Sequence, residues 1–286
     1  MKPPLISVIV STYNRPDALK AVLSALMQQN DRDYEIIVAD DGSGSATRDT
    51  INSLSSCAPV PLTHVWHEDA GFRLSAIRNR GIARAVGDYL IFLDGDCIPQ
   101  RDFITRHRSL AQRGMMVTGS RILLGEKLTT RVVEGLSILD QGFGFWCAQR
   151  AAGEANKIFP LYLHLPDIPQ RRQVEFKWRG IKGCNLAAWR TDIEAINGFD
   201  ETFTGWGHED ADFVVRLHNH GITRKKGFCA TEVLHLWHPE AKRDQESPNR
   251  AKVFSRLALH ETRALQGLAE YAGTSRESHG SATLAL

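Results

Sequence analysis

Asp88-Tyr89-Leu90-Ile91-Phe92-Leu93-Asp94-Gly95-Asp96-Cys97-Ile98-Pro99 is the stretch whose reading decides the fold. Tyr89 to Leu93 has the length and β-rich composition of a strand buried on both faces, and it stops at two acids separated by a glycine. Side chains two apart on extended backbone point the same way, so Asp94 and Asp96 can converge on one hard cation while Gly95 permits the turn. In an α/β protein, ligands gather at the carboxyl ends of the strands. An isolated Asp-Gly-Asp is equally ordinary turn chemistry, so the rest of the chain has to decide between cation site and solvated turn.

Working outward, the first hundred residues repeat one cycle. Leu5 to Val10 reads as a strand, Ser11 to Asp17 as its polar exit, and Ala18 to Leu26 as an amphipathic helix. Glu35 to Ala39 is the next strand, Asp40-Asp41-Gly42-Ser43 its exit, and Ala46 to Leu54 the next helix. Leu62 to Trp66 and Leu74 to Ala85 continue the alternation. Such a rhythm predicts an α/β, Rossmann-like, mostly parallel central sheet flanked by helices. No G-x-G-x-x-G or P-loop occurs here, so neither a dinucleotide nor an NTP cradle is indicated.

Beyond Pro99 the pattern predicts a helix over Phe103–Gln112 and a strand over Met115–Leu124 broken by Gly119. From Gly125 to Arg179 it degrades, leaving one expected helix near Thr129–Leu139. Gly183–Arg190 reads as a strand, Thr191 as the cap of a helix over Asp192–Ile196, and Asn197-Gly198 as its end. A helix opens at Glu209 and runs through His218, and a last strand spans Gly227–Leu236. The expected organisation is one domain over 1–240, with a nucleotide-binding half (1–100) and an acceptor-side half (101–240). A C-terminal helical extension (241–272) and a disordered tail (273–286) follow. The extension is expected to be helical over Ala251–Tyr271, burying Val253, Leu257, Leu259, Ala264, Leu265 and Leu268. Its bases, Arg250, Lys252, Arg256 and Arg263, leave a membrane-surface face as the alternative.

The chain has 286 residues, 42% hydrophobic and 24% charged, with a formal net charge of +2. That balance excludes bulk attraction to nucleic acid. Five scattered cysteines, none in a C-x-x-C pair, fit reduced thiols in the cytoplasm. Neither a leader peptide nor a bilayer-spanning apolar run is expected, which leaves peripheral contact with an inner membrane surface open.

Polar clusters now stand at successive strand exits: Thr12-Tyr13-Asn14, Asp40-Asp41, Asp94-Asp96, and later Glu209-Asp210 with His235 and His238. A parallel sheet brings such exits to one edge, and acids crowded there need a cation or specific donors. The convergence implies a metal.

Ser11-Thr12-Tyr13-Asn14-Arg15, Ala39-Asp40-Asp41-Gly42-Ser43, Arg78-Asn79-Arg80-Gly81 and Phe92-Leu93-Asp94-Gly95-Asp96-Cys97-Ile98-Pro99 together resemble the inverting family-two glycosyltransferases of the GT-A fold. Asn197-Gly198-Phe199-Asp200 followed by Gly205-Trp206-Gly207-His208-Glu209-Asp210-Ala211-Asp212 is similar to the signature of beta-1,4-galactosyltransferases and bacterial chondroitin polymerases. The resemblance implies a UDP-sugar donor, a glycan or glycolipid acceptor, and Mn2+ or Mg2+ held by Asp96 and His238, with His235 as a further ligand. Asp94 holds the ribose or assists the metal. Thr12, Asp41 and Arg78 hold uridine and its phosphates, with Tyr13, Asn14, Asp40, Asn79 and Gly95 beside them and Arg73 as another phosphate contact. An imidazole beside carboxylates favours Mn2+ over Mg2+.

Displacement at an anomeric carbon needs an acceptor hydroxyl deprotonated on one face and a stabilised leaving group on the other. Asp210 is assigned the base, Glu209 the acceptor hydroxyls, and Trp206 a stacking surface beside Gly207. The bland reading of these acids is a helix N-terminus. Gly183-Cys184-Asn185 departs from the relatives, so acceptor identity is not carried across. Neither Q-x-x-R-W nor membrane helices appear, which favours single addition over polymerisation. The bases Arg171, Arg172, Lys177, Arg179 and Lys182 are read as a possible contact for a phosphorylated acceptor or as a solvated face. The expected setting is bacterial polysaccharide or lipopolysaccharide synthesis; the rival classes are a catalytically silent nucleotide-sugar binder and a sugar nucleotidyltransferase.

Overall fold

The structure, a computed structural model, describes residues 4–178, 180–239 and 246–272. The expected tail, 273–286, and Arg179 lie outside the described residues. The first half follows the anticipated cycle: β1 (Ile6–Thr12), α1 (Pro16–Met27), β2 (Tyr34–Asp40), α2 (Ser45–Ser55), β3 (Leu62–Trp66), α3 (Leu74–Arg84) and β4 (Tyr89–Asp94). β5 (Cys97–Pro99), α4 (Phe103–Leu110), β6 (Met115–Thr118), β7 (Ser120–Leu123), α5 (Glu126–Val133) and α6 (Phe143–Ala151) come next. The chain then forms β8 (Arg172–Gln173), β9 (Asn185–Trp189), α7 (Arg190–Ala195), α8 (Glu209–Asn219), β10 (Thr223–Lys226), β11 (Glu232–His235) and α9 (Glu246–Leu259).

Eight strands form the main sheet in the order β3-β2-β1-β4-β9-β6-β10-β8. It is mostly parallel, with β9 antiparallel to both neighbours and β8 antiparallel to β10. Alternation places Ile91 and Leu93 of β4 in one core with Ile6, Val8 and Val10, while Leu90 and Phe92 enter the other with Ile9 and Ile37. Helices cover both faces, which is why β4 reads as an unbroken apolar run. Phe92 meets Phe199 and Phe213 edge-on, at centroid distances of 4.9 and 5.6 Å.

Register sets up the functional edge. Thr12 pairs with Asp40 and Ser11 with Asp94, so the exits of β1, β2 and β4 share one border. β9 runs the other way and enters there, pairing Asn185 with Leu93. Gly183 and Cys184 therefore meet Asp94 from a segment ninety residues downstream.

Two expected strands are corrected. Met115–Leu124 divides, β6 staying in the main sheet and β7 leaving it; Gly227–Leu236 shortens to β11, and β10, just before it, is a main-sheet strand that the pattern missed. β7 and β11 join β5 in a second sheet ordered β5-β11-β7. Periodicity registers a strand but not the sheet it joins. The helix expected at Thr129–Leu139 runs earlier, over α5, and stops at Gly135, whose φ is 116°. Thr191 lies inside α7, which starts one residue before it, instead of capping it.

The C-terminal extension is also corrected. α9 ends at Leu259, a 3-10 turn occupies Leu268–Tyr271, and Leu259 and Leu265 are exposed, whereas Val253 and Ala264 are buried. Arg256 does not belong to a membrane-facing stripe. It is buried between Asp200 and Asp212, 2.6 Å from the latter, and Arg216 completes the network at 2.8 Å from Asp212. Buried charges are tolerated only when paired in this way, so α9 is riveted to α8 and to the turn after α7.

Candidate active site

A cleft of about 940 Å3 opens along the shared strand edge. Ser11, Thr12, Tyr13 and Asp41 wall one part, the Asp94-Gly95-Asp96 turn lies across it, and Trp206 to Ala211 face it from the start of α8. Gly95 can make that turn because a Cβ there would sit 2.9 Å from the Ser11 carbonyl oxygen; its own N–H donates to that oxygen at 2.7 Å.

Arg78, on α3, organises the floor. It is almost wholly buried, lies against the Phe199 ring at 5.1 Å, and donates to Ser11 Oγ (3.1 Å), Asp94 Oδ1 (2.9 Å) and the Gly183 carbonyl (3.3 Å). Its Nη1 stands 3.8 Å from Glu209 Oε1. One guanidinium thus ties the β1 exit, the β4 exit and the loop before β9 together. Burial pushes the Asp94 carboxyl up, Arg78 pulls it down, and the charge of Asp96 pushes it further up.

Asp96 is the junction of several charged groups. His238 Nε2 and Arg15 Nη1 each stand 3.5 Å from its Oδ2, and His235 Nε2 stands 3.7 Å from its Oδ1. Burial brings His235 down to about 4, so it is neutral and its ring nitrogen is free to act as a ligand. Asp94, Asp96 and His238 all line the cleft, and of these Asp96 and His238 stand together, 3.5 Å apart.

The opposite wall depends on unusual backbone. Gly207 at φ 111° and His208 at φ 70° turn the chain sharply into α8, placing the two acids that follow at the mouth. Asp210 Oδ2 accepts the Gly183 N–H at 2.7 Å and Oδ1 accepts the Ala211 N–H at 2.7 Å, which leaves lone pairs on both oxygens for a substrate. Glu209 differs: burial pushes it up to about 7, Asp210 adds to the rise, and Arg78 opposes it.

That shift has a thermodynamic sign. Between the ordinary 4.5 and about 7 the folded chain holds a proton that the unfolded chain has lost, so stability falls as pH rises through this window. Relative to a Glu209→Gln variant, the unaltered protein is expected to lose on the order of 3 kcal/mol between pH 4.5 and pH 7.5. Urea unfolding of both proteins at the two pH values measures it, and parallel profiles would refute it.

Four of the anticipated residues, Asn14, Asp40, Arg73 and Asn79, are not among those lining the cleft. Asn14 Oδ1 accepts from Gly44 N–H, and Asp40 is spent on the Ser43 N–H and on His64. Arg73 donates its N–H to Asp41 Oδ2 and its guanidinium to the Glu68 carbonyl. Asn79 is fully buried, donating to the Phe199 carbonyl and Glu201 and accepting from Phe199 N–H, so it joins the two halves. Each braces a loop from behind. Arg171, read as a surface base, is buried and donates to the carbonyls of Leu165, Pro166, Lys226 and Phe228.

Residues not singled out from sequence also line the cleft: Arg15, Phe72, Arg121 and Trp178. Arg15 lay inside a quoted motif without being given a role, and the other three carry no local signal, since a lone arginine or aromatic becomes informative only once the fold aims it. Charged side chains of both signs, Arg15, Arg78, Asp94, Asp96, Glu209 and Asp210, line the cleft and suit an anionic ligand together with a cation. Arg15 Nη1, Arg78 Nη1 and Glu209 Oε2 are buried without a hydrogen-bond partner among the described residues, so water or a ligand in the cleft can complete them.

Residues 7–142 match the family described as glycosyl transferase family 2, and residues 169–239 match one described as the N-terminal domain of galactosyltransferase. The validoxylamine A glucosyltransferase of Streptomyces hygroscopicus subsp. jinggangensis is 30% identical over 231 residues, covering 77% of this chain and 52% of the relative. The chondroitin synthase of Escherichia coli is 27% identical over 254 residues, covering 86% of this chain and 36% of that protein. The chain thus spans about half the length, or less, of these curated relatives. Among solved structures, S. aureus TarS 1-349 in complex with UDP-GlcNAc superimposes with a TM-score of 0.58 at 14% identity, covering 93% of this chain and 69% of that one. The likeness establishes a GT-A glycosyltransferase fold.

Proposed function

Because residues 7–142 belong to glycosyl transferase family 2, we propose that the protein is a metal-dependent, inverting glycosyltransferase that moves a sugar from a UDP-sugar to a hydroxyl of a glycan or glycolipid. The observation that carries the proposal is the pairing, in one cleft, of an acid-and-imidazole donor set with a second carboxylate on another wall. Thr12, Tyr13 and Asp41 bind the nucleoside end of the donor, and Arg15 and Arg78 supply the unpaired donors that its diphosphate needs. Asp96 and His238, assisted by Asp94, hold Mn2+ in preference to Mg2+ because an imidazole ligand suits the softer ion. When bound, the ion supplies charge neutralisation for the departing diphosphate.

The chain's own groups do the rest. Trp206 stacks on a sugar ring, and Glu209 orients the acceptor hydroxyls. Asp210 takes the hydroxyl proton as the oxygen forms its bond to the anomeric carbon. The carbon–phosphate oxygen bond breaks with its electron pair leaving on UDP. Attack from the face opposite the diphosphate inverts the anomeric centre.

The setting proposed is synthesis of a bacterial surface polysaccharide or lipopolysaccharide. It lies in the cytoplasm, where five free thiols persist, with peripheral contact at the inner membrane surface. Among the described residues no helix is long and apolar enough to cross a membrane. Incubation with Mn2+ and a panel of UDP-sugars is expected to give saturable donor binding and UDP release that EDTA abolishes. Failure of every UDP-sugar to bind in the presence of metal would overturn the proposal.

A further inference from the structure

Asp41 lines the cleft at the end assigned to the nucleoside, and its carboxylate is held from behind. Parallel register pairs Asp40, at the end of β2, with Trp66, at the end of β3, so the next residues out, Asp41 and His67, leave the sheet side by side. His67 Nε2–H donates to Asp41 Oδ1 at 2.5 Å, and the Arg73 N–H donates to Oδ2 at 2.9 Å. A carboxylate oxygen only accepts, so Nε2 carries the hydrogen. The Asp41 N–H in turn donates to the Thr12 carbonyl at 3.0 Å, which fixes its backbone against the exit of β1.

His67 is buried, and the bond to Asp41 is the one its ring makes among the described residues; Nδ1 is buried without a partner among them. Packing alone does not call for an imidazole here, since a hydrocarbon ring would fill the space without burying an unpaired nitrogen. What the imidazole adds is an N–H aimed at Asp41. The loop that begins with it, between β3 and α3, is fastened to the same pocket at two further points. Tyr13 Oη donates to Asp69 Oδ2 at 2.9 Å, and Gly42 comes so close to Asp69 that a Cβ would stand 2.6 Å from its Cα. Gly71 and Phe72 of this loop then line the cleft together with Asp41.

One bond to each oxygen sets the plane of the Asp41 carboxylate and leaves lone pairs on both oxygens for a ligand N–H or O–H. The bond from Arg73 comes from the backbone and survives a change of side chain, whereas the bond from His67 does not. We propose that His67 is a positioning residue of the donor site: through its Nε2–H it fixes the Asp41 carboxylate in the orientation that receives the nucleoside, and so sets donor affinity. It does not itself line the cleft. The inference rests on the reading of Asp41 as a nucleoside contact under the proposed function and adds the residue through which that contact is aimed.

The test titrates the full chain with UDP in the presence of Mn2+. His67→Gln keeps an N–H and loses the ring, while His67→Phe keeps a ring and loses the N–H. The UDP Kd is expected to rise roughly tenfold in His67→Phe, the lower end of the range for a hydrogen bond to a charged group, and to stay within about threefold in His67→Gln. With a UDP-sugar, KM follows the same order while kcat is little changed, because His67 touches no reacting group. In an Asp41→Ala background, His67→Phe is expected to have little further effect on UDP affinity, since the group it acts through is gone. Should His67→Phe fail to fold, His67→Ala against His67→Gln makes the same comparison. Full UDP affinity in His67→Phe, an equal loss in His67→Gln, or additive losses in the double variant would each overturn the role of His67 and leave the proposed function standing. Failure of the unaltered protein to bind UDP with Mn2+ would overturn both.

Discussion

Asp210→Asn is expected to lower kcat by roughly 10²–10⁴-fold, the range that a positioned general base contributes, with donor affinity and unfolding midpoint little changed. The reason is geometric. Asp210 receives the Gly183 and Ala211 N–H groups, and an asparagine carbonyl can still accept the first, so the loop before β9 keeps its place. What disappears is the anionic lone pair that would take the acceptor proton. Glu209→Gln serves as the comparison, because Glu209 stands beside Arg78 and is pushed up to about 7, a value that also suits a base. If Glu209 only orients the acceptor, its amide raises KM more than it lowers kcat. Steady-state kinetics on both variants with one UDP-sugar decides the matter; a larger kcat loss for Glu209→Gln would transfer the base role to Glu209.

Arg78→Met should produce the largest loss of stability in the site, about 3–5 kcal/mol, because removing one partner of a buried ion pair strands the other. Asp94 and Glu209 would then face each other across an apolar side chain, and the hydrogen bonds to Ser11 and Gly183 would go unmade. The loss should grow with pH, since both stranded acids must ionise without the guanidinium that faced them. Donor affinity should fall as well, given that Nη1, which makes no hydrogen bond among the described residues, is assigned to the diphosphate. Arg78→Lys keeps the charge but not the planar fork, and is expected to fall between the two proteins. Urea midpoints and donor titrations measure these outcomes; an unchanged midpoint in Arg78→Met would show that the guanidinium does not hold the floor together.

Both predictions concern groups whose importance reads differently from the two levels. Asp210 was visible in the chain as one of several acids opening a helix, and a helix N-terminus explains such acids without any reaction. Only the bond from Gly183 shows that its side chain is turned out of α8 towards the cleft. Asn79 shows the converse: its neighbour Arg78 reaches the cleft, while Asn79, one residue on, is directed the other way into Phe199 and Glu201. Adjacent residues on a helix point about a quarter-turn apart or more, so a motif brings both into view and cannot say which one faces the ligand.

By itself, the sequence determined the α/β class, the first four strands with their intervening helices, and the strand-end location of Thr12, Asp41, Asp94 and Asp96. Hydrophobic periodicity and turn residues are local properties, and they survive without knowledge of the fold. Tertiary structure decided what depends on distant chain segments meeting. It divided Met115–Leu124 between two sheets, placed β10 and β11 in different sheets, buried Arg171 and Arg256 as internal braces, and brought Arg15, Arg121 and Trp178 to the cleft. It also gave Asp94-Gly95-Asp96 its two sides. Asp94 is tied to Arg78 from α3, and Asp96 stands between His238 in the cleft and the Cys97–His235 pair behind it. Those contacts join residues up to 142 positions apart, from Asp96 to His238, a separation at which pattern carries no information and packing alone sets the distance.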